Sequence, residues 1–247
     1  MSQKNEQTFP PFAVLTSRLI LLPTPIAISI SNYRILYATL HADPAFCEMA
    51  FSHHFPAVTW SDEQTYEVIH TRDVQRCWGQ RGLGDFAVGL LPEVFQQSQS
   101  KPGVGRELGR PDSSLRVLEQ DDYSRVFASS GWELDSITWI GYAGVRDATA
   151  TSMPDRTATD HSLPSWLEMI ELRYGVASGC WGKGIAKEAA EAVMEWARSE
   201  RGVKRFIAET EKANARSGKV LEKMGFRMSG TEYWKDPEEI EWERPVA

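Results

Sequence analysis

The chain has 247 residues, 42% of them apolar and 25% charged, with a formal net charge of −7. That apolar share can build the core of one α/β domain with insertions and excludes wholesale disorder. The acidic balance argues against nucleic acid or an anionic membrane surface as a partner.

The opening MSQKNEQTFPPF is polar and has no apolar h-region, so residues 1–13 read as a tail ahead of a single domain over 14–247. The longest apolar stretch, LILLPTPIAISI, holds two prolines and is too short to span a bilayer. Three cysteines, Cys47, Cys77 and Cys180, are widely spaced and form no C-x-x-C pair. That usage speaks against disulfides and zinc and for a reducing compartment, so a soluble cytoplasmic protein is expected.

RLILLP (18–23), an apolar run closed by proline, predicts a first strand. Residues 26–51 read as helical with a break at Asp43-Pro44. Ser61 with Gln64 three residues on is a capping box, opening a helix that should end before Gly79. GDFAVGLL (84–91), TWIGYAGVRD (138–147) and WLEMIELRYGVA (166–177) predict three strands. Residues 92–134 and 147–165, rich in Gln, Ser, Thr, Gly, Pro and charge, predict long loops, the first with room for a short helix or hairpin. After residue 184, Ile185, Ala189, Val193, Trp196 and Ala197 share one helical face, opposite Lys187, Glu188, Glu191, Glu195 and Arg198. KRFIAET (204–210) predicts a strand. Asn214 caps a helix that ends at Gly225, and FRMSGTEYW and EIEWERPV predict two final strands. The expected fold class is mixed α/β with a largely antiparallel sheet. Trp234 and Trp242 are expected on the surface, where they could serve a homodimer. Monomer and homodimer both stay open.

The least ordinary stretch is GCWGKGIAKEAA, residues 179–190. A strand, a glycine-bearing turn and a strong helix form a recurring anion site, because the first helical N–H groups lack partners and the dipole adds positive potential. Gly182 and Gly184 would let the backbone approach a phosphate, and Lys183 adds a cation, so a diphosphate fits. Tight packing at the helix start is the competing reading. No Gly-Lys-Ser/Thr follows, and Lys187 stands where a dinucleotide fingerprint needs glycine, which removes the P-loop and Rossmann readings.

WGKGIAKEA, followed some thirty residues later by NARSGKVLEKMGF, resembles the GCN5-related N-acetyltransferase (GNAT) superfamily. The likeness is to its branch of ribosomal-protein N-terminal acetyltransferases of the RimJ/RimL type, whose first strand TSRLILLP also resembles. The resemblance implies a GNAT-like sheet splayed at the cofactor site. It also implies transfer of acetyl from acetyl-CoA to a primary amine, a protein N-terminus or a small molecule, by direct attack and without metal. The backbone of Tyr174, Val176 and Ala177 would hold the pantetheine and thioester, with the Val176 N–H as oxyanion donor. The amides of Trp181, Gly182, Lys183, Gly184, Ile185 and Ala186 would hold the pyrophosphate.

By the same resemblance Glu171 is the candidate base. Its plainer reading is a strand glutamate facing solvent or pairing with Arg173 on the same face. Asn214 would bond the pantetheine arm as well as cap its helix. The tyrosine that many relatives carry seven residues beyond this Asn is Leu221 here, and Ser217, one turn earlier, is the candidate donor to the leaving sulfur. Cys180 suggests a covalent intermediate less than packing, and His53-His54 lack the spacing of a metal site. In an antiparallel meander the 92–134 insertion emerges where Val176 splays. It is therefore expected to cover part of the acceptor site with Glu119, Asp121 and Asp122. Two rivals remain: a non-catalytic acyl-CoA-binding or interaction module, favoured by Leu221, and a plain nucleotide binder.

Overall fold

The apolar run Leu19–Pro23 is buried along its whole length and forms a strand, but the second one. The first is Phe12–Leu15, which starts inside the expected tail. Its Phe12 ring stacks on Trp196 at 5.4 Å, and Phe9 meets Trp78 edge-on. The computed structural model describes residues 9–51, 55–91, 104–109, 114–127 and 133–246.

In chain order the strands are β1 (Phe12–Leu15), β2 (Leu19–Pro23), β3 (Asp85–Leu90), β4 (Arg106–Glu107), β5 (Arg116–Glu119), β6 (Trp139–Asp147), β7 (Ile170–Val176), β8 (Arg205–Glu211), β9 (Arg227–Met228) and β10 (Glu239–Pro245). They lie in one sheet in the order β4-β5-β1-β2-β3-β6-β7-β8-β10-β9. Neighbours pair antiparallel except β7 and β8, which run parallel and register only at Ile170↔Phe206 and Glu171↔Ile207. Beyond Glu171 the two strands part. The fold is thus mixed α/β, with a largely antiparallel sheet flanked by helices, as the sequence predicts.

The helix Ile185–Arg201 buries Ile185, Ala189, Val193, Trp196 and Ala197, the predicted face, against β6 and β7. Arg198 and Arg201 sit in its last turn, where cations suit the dipole. On the opposite side of the sheet, helices Thr24–Ala27, Ser31–Ala42 and Asp62–Ile69 close a second core around Leu15, Ile20, Leu22, Tyr33 and Ile69. Those helices cover the N-terminal half of the sheet and leave a broad cleft over the β7–β8 parting.

Three expectations need correction. The Ser61–Gln64 capping box forms, but the helix does not stop before Gly79. It runs on as a π-helix over His70–Trp78, then through Gly79–Arg81, and ends at Gly82 with φ +63°. Residues 147–165 begin with a short helix, Ala148–Thr151, capped by Asp147. The described part of 92–134 holds short elements of the kind it had room for: β4 and β5 pair antiparallel, and Gln120–Phe127 is a helix. Only Arg227–Met228 of FRMSGTEYW pairs as strand, because Gly230 at φ +68° turns the chain away.

Candidate functional site

The cleft over the strand parting has a volume of about 1780 Å³ and is lined by both diverging strands and the N-terminus of the long helix. At that N-terminus the chain does what the glycines suggest. Gly182 and Gly184 take φ +75° and +76°, the left-handed region where a side chain is strained. Gly184 is the N-cap residue and offers no side chain, so no side chain occupies the first-turn amides. A Cβ on Gly182 would meet nothing within 4 Å, so this glycine is not there for packing. Conformation and open access explain it, which removes the packing alternative at that position.

A buttress unseen in the sequence holds this turn. Arg18, at the β1–β2 turn, donates to the Lys183 carbonyl at 3.1 Å and to Glu188 at 2.7 Å. The Thr16 hydroxyl donates to the other Glu188 oxygen at 2.5 Å. Glu188 is the one acid in the helix's first turn, and Arg18 neutralises it there. The Lys183 ammonium folds back onto the Gly179 carbonyl at 2.9 Å.

On β7 the hydrogen-bond alternation fixes which backbone groups are free. Ala177 N–H donates to Ile140 on β6 at 2.8 Å, and Tyr142 faces Gly175 in the ladder. Antiparallel pairing alternates, so the N–H and C=O of Tyr174 and Val176 point the other way, into the gap left by β8. The Val176 carbonyl is taken there by the Trp181 indole N–H at 2.7 Å, which leaves the Val176 N–H facing the opening. The Trp181 ring lies under the Arg216 guanidinium at 5.5 Å. Ile185 is buried at the helix start, with half-buried Ala186 beside it.

Across the gap, Asn214 caps the helix Ala215–Lys223, its Oδ1 accepting from Ser217 N–H at 3.0 Å. Its Nδ2 donates to the Met49 carbonyl at 2.6 Å. Ser217 Oγ lies 2.7 Å from the Tyr174 hydroxyl. Burial pushes the Tyr174 phenol up to about 12, although the Ser217 contact pulls the other way. Tyr174 was expected to act through its backbone only. Its phenol is an addition, and its spacing two before Val176 was the available signal.

Glu171 does not face solvent and does not pair with Arg173. It is 1% exposed, and Arg146 on β6 grips both its oxygens, at 2.7 and 2.9 Å. The Ser152 hydroxyl donates to it as well. Burial pushes its pKa up, but Arg146, with help from Arg173 and Ser152, holds it below the ordinary value. Arg173 turns instead to Asp85, 3.5 Å away. The same sheet face carries Glu209, two residues past the last β7–β8 register and lining the cleft. Burial, then the charges of Glu171 and Glu239, push Glu209 up to about 8. Asp73 also lines the cleft, from the π-helix. It is 7% exposed, with Oδ1 accepting from Asp85 N–H at 3.0 Å. Burial and Asp85 push it up to about 8. Its signal was an acid on the buried stripe Ile69, Asp73, Cys77.

Other candidates fall away from the cleft. Glu119 pairs with Phe12 at the opposite end of the sheet and binds Arg106, and Asp122 binds Arg125. Neither they nor Asp121 line the cleft, so that acidic cluster does not cover it. Residues 92–103, 110–113 and 128–132 of the insertion lie outside the described residues, as do His53 and His54. Among the described residues no group of three or more His, Cys, Asp or Glu could hold a metal ion. Cys180 is half-buried in the cleft wall. Trp242 is 3% exposed, its indole N–H bonded to Thr210 at 2.8 Å, so it is a core residue and not a dimer contact. Trp234 is half-buried. Among the described residues no helix is long and apolar enough to cross a membrane.

A parting between two parallel strands, placed at an uncapped glycine-opened helix, makes an anion-accepting cleft, and comparison with known proteins gives it a family. The profile of the acetyltransferase (GNAT) domain matches residues 29–227. YkkB, an uncharacterized protein of Bacillus subtilis (strain 168), is 32% identical over 160 residues, 54% of this chain and 88% of YkkB. An acetyltransferase of Agrobacterium tumefaciens superposes with a TM-score of 0.56 at 18% identity, covering 99% of this chain and 100% of that one. An aminoglycoside acetyltransferase in complex with coenzyme A superposes at 0.52 with 13% identity and 94% of each chain. The chain belongs to the GNAT acetyltransferase family.

Proposed function

We propose that this enzyme moves an acetyl group from acetyl-CoA to a primary amine by direct attack within a ternary complex, without metal. The observation that supports this most is the Gly182–Gly184 turn: two left-handed glycines, no side-chain cap and an open approach, beside the strand parting. The backbone amides from Trp181 to Ala186 would take the pyrophosphate. Tyr174 and Val176 would carry the pantetheine and thioester, with the Val176 N–H aimed at the developing oxyanion, whereas Ala177 already gives its N–H to Ile140 and its carbonyl to Cys180 N–H. Asn214 would join them if its Nδ2 exchanged Met49 for the pantetheine arm. Ser217, backed by the Tyr174 hydroxyl, would donate to the departing sulfur.

The proton acceptor would be a carboxylate of the parting, where Glu171 and Glu209 both stand. Glu209, Glu211, Glu239 and Asp236 all line this end of the cleft, so a cationic acceptor fits it. Small polycationic amines suit that wall, and a protein N-terminus of the RimJ/RimL kind presents one such charge. One residue favours a non-catalytic acyl-CoA binder: Leu221, buried where many relatives carry tyrosine. That reading predicts binding without turnover.

The test is isothermal titration of acetyl-CoA into wild type and Gly184→Glu, with thermal melts to confirm that both are folded. Micromolar binding by wild type, lost in the variant, supports the diphosphate site. No binding by wild type refutes the function.

A further inference from the structure

We propose that Glu209, not Glu171, takes the proton from the incoming ammonium. This rests on the acetyl-transfer reading above and names its base.

Both carboxylates sit on the same sheet face at the β7–β8 parting, but their lone pairs are in different states. Glu171 is closed: two bonds from Arg146 and one from Ser152 occupy its oxygens, and it is 1% exposed. An incoming ammonium would have to displace Arg146 to reach it. Glu209 is open. It is half-buried in the cleft wall, and among the described residues no Lys, Arg or His forms an ion pair with it. It also lies past the last registered pair, where the strands have separated and the Val176 N–H faces the gap.

The charges around Glu209 explain why it suits the task. Glu171 faces it from β7, Glu239 and Glu241 from β10, and Arg146 from β6, the last already committed to Glu171. Glu241 is engaged by Thr231 at 2.5 Å and by Trp234 N–H at 2.8 Å. Crowded by carboxylates, Glu209 sits at about 8, beside a free α-amine at ~8, so the proton passes between near equals. The same transfer to Glu171, which Arg146 holds below the ordinary carboxylate value, would run uphill from an amine at ~8. The order of steps follows. The ammonium gives one proton to the Glu209 carboxylate, and the free amine forms the C–N bond as the thioester carbonyl becomes an oxyanion. Collapse breaks the C–S bond. The thiolate takes the second amine proton, directly or through Ser217, and Glu209 releases its own to solvent. Glu171 is a positioning residue in this scheme: its fixed negative charge keeps Glu209 basic.

Two measurements test this. The first needs no acceptor. Infrared difference titration should reveal carboxyl groups with midpoints near pH 8, Glu209 and Asp73 among them; Glu209→Gln should remove the one that Asp73→Asn leaves, and Glu171→Gln should move that one to lower pH. Absence of any carboxyl titration near pH 8 from wild type, or an amplitude there in Glu209→Gln equal to that of wild type, overturns the proposal whether or not turnover is found. The second follows acetyl transfer to spermidine and to an alanine-leading tripeptide. Glu209→Gln should lose about a hundredfold or more in kcat, as for a general base, while its acetyl-CoA Kd is unchanged. The acidic limb of the rate profile should vanish with it. Full turnover by Glu209→Gln alongside loss in Glu171→Gln overturns the proposal. Wild type inert toward every amine, yet showing the titrating group, would count against the acetyl-transfer reading and not against the state of Glu209.

Discussion

Replacing Arg146 by Met probes the charged face at its anchor. The guanidinium makes two bonds to a carboxylate that is 1% exposed, and its own side chain is 18% exposed. Met keeps much of the aliphatic stem, so little packing is lost and the effect is electrostatic. Breaking a buried pair by removing one partner costs about 3–5 kcal/mol. The Ser152 hydroxyl remains as a donor to Glu171, so the lower end, about 3 kcal/mol, applies. For a chain of this size that is a fall in Tm of about 6–12 °C. The pH dependence follows from the direction of each shift. In wild type the Glu171 pKa is depressed below its unfolded value, so its contribution is present above the unfolded value and lost as pH falls through the folded one. In Arg146→Met, burial is opposed only by Arg173 and Ser152, and the Glu171 pKa rises. The penalty is then largest at high pH and fades as pH falls toward the unfolded value. Differential scanning fluorimetry at about pH 8 and about pH 5 reads both terms. A deficit under about 2 °C at the higher pH, or one equal at both, refutes the reasoning.

Arg18→Ala should weaken acetyl-CoA binding about twofold to fivefold and leave kcat within error, because it exposes the Glu188 charge in the helix's first turn. Calorimetry at low salt checks this, and tighter binding would sink it. Tyr174→Phe should lower kcat about twofold to tenfold with acetyl-CoA Kd unchanged, the worth of one hydrogen bond to Ser217. Ser217→Ala should do the same and the double variant no worse, so additive losses in steady-state kinetics would show that the two hydroxyls act separately.

What the sequence made legible was whatever is local. The capping box at Ser61, the apolar stripe from Ile185 to Ala197 and the Gly225 helix end at φ +82° each depend on residues within a turn or two of one another. The anion turn was legible for the same reason. What escaped depends on partners distant in the chain. Glu171 has Arg173 two residues away and Arg146 twenty-five away, and register with β6 decides for the latter. Arg18 reads as strand punctuation until it is found 165 residues along against Lys183. β1 has only four residues behind two prolines, too short to carry a period. Glu209 looked like the polar end of a strand, and only the parting of β7 from β8 gives it a cleft to face.

The position of Leu221 connects these facts. It is 1% exposed in the core that includes Trp242 and Ile185, so a phenol there would have to displace an apolar side chain from packed surroundings. On the proposed reading the hydroxyl comes from the other wall, since Tyr174 on β7 reaches Ser217 on the facing helix. Tyr174 and Val176 point their side chains to the face packed by the helix Ile185–Arg201, whereas Glu171 and Arg173 point to the opposite face with Glu209. The donor for the thiolate and the acceptor for the ammonium therefore lie on opposite faces of the same strand. The gap beside Val176 is the place where the two faces communicate. An amine arriving from the carboxylate face would deliver its proton before meeting the thioester, and the sulfur would leave toward the hydroxyls on the other side.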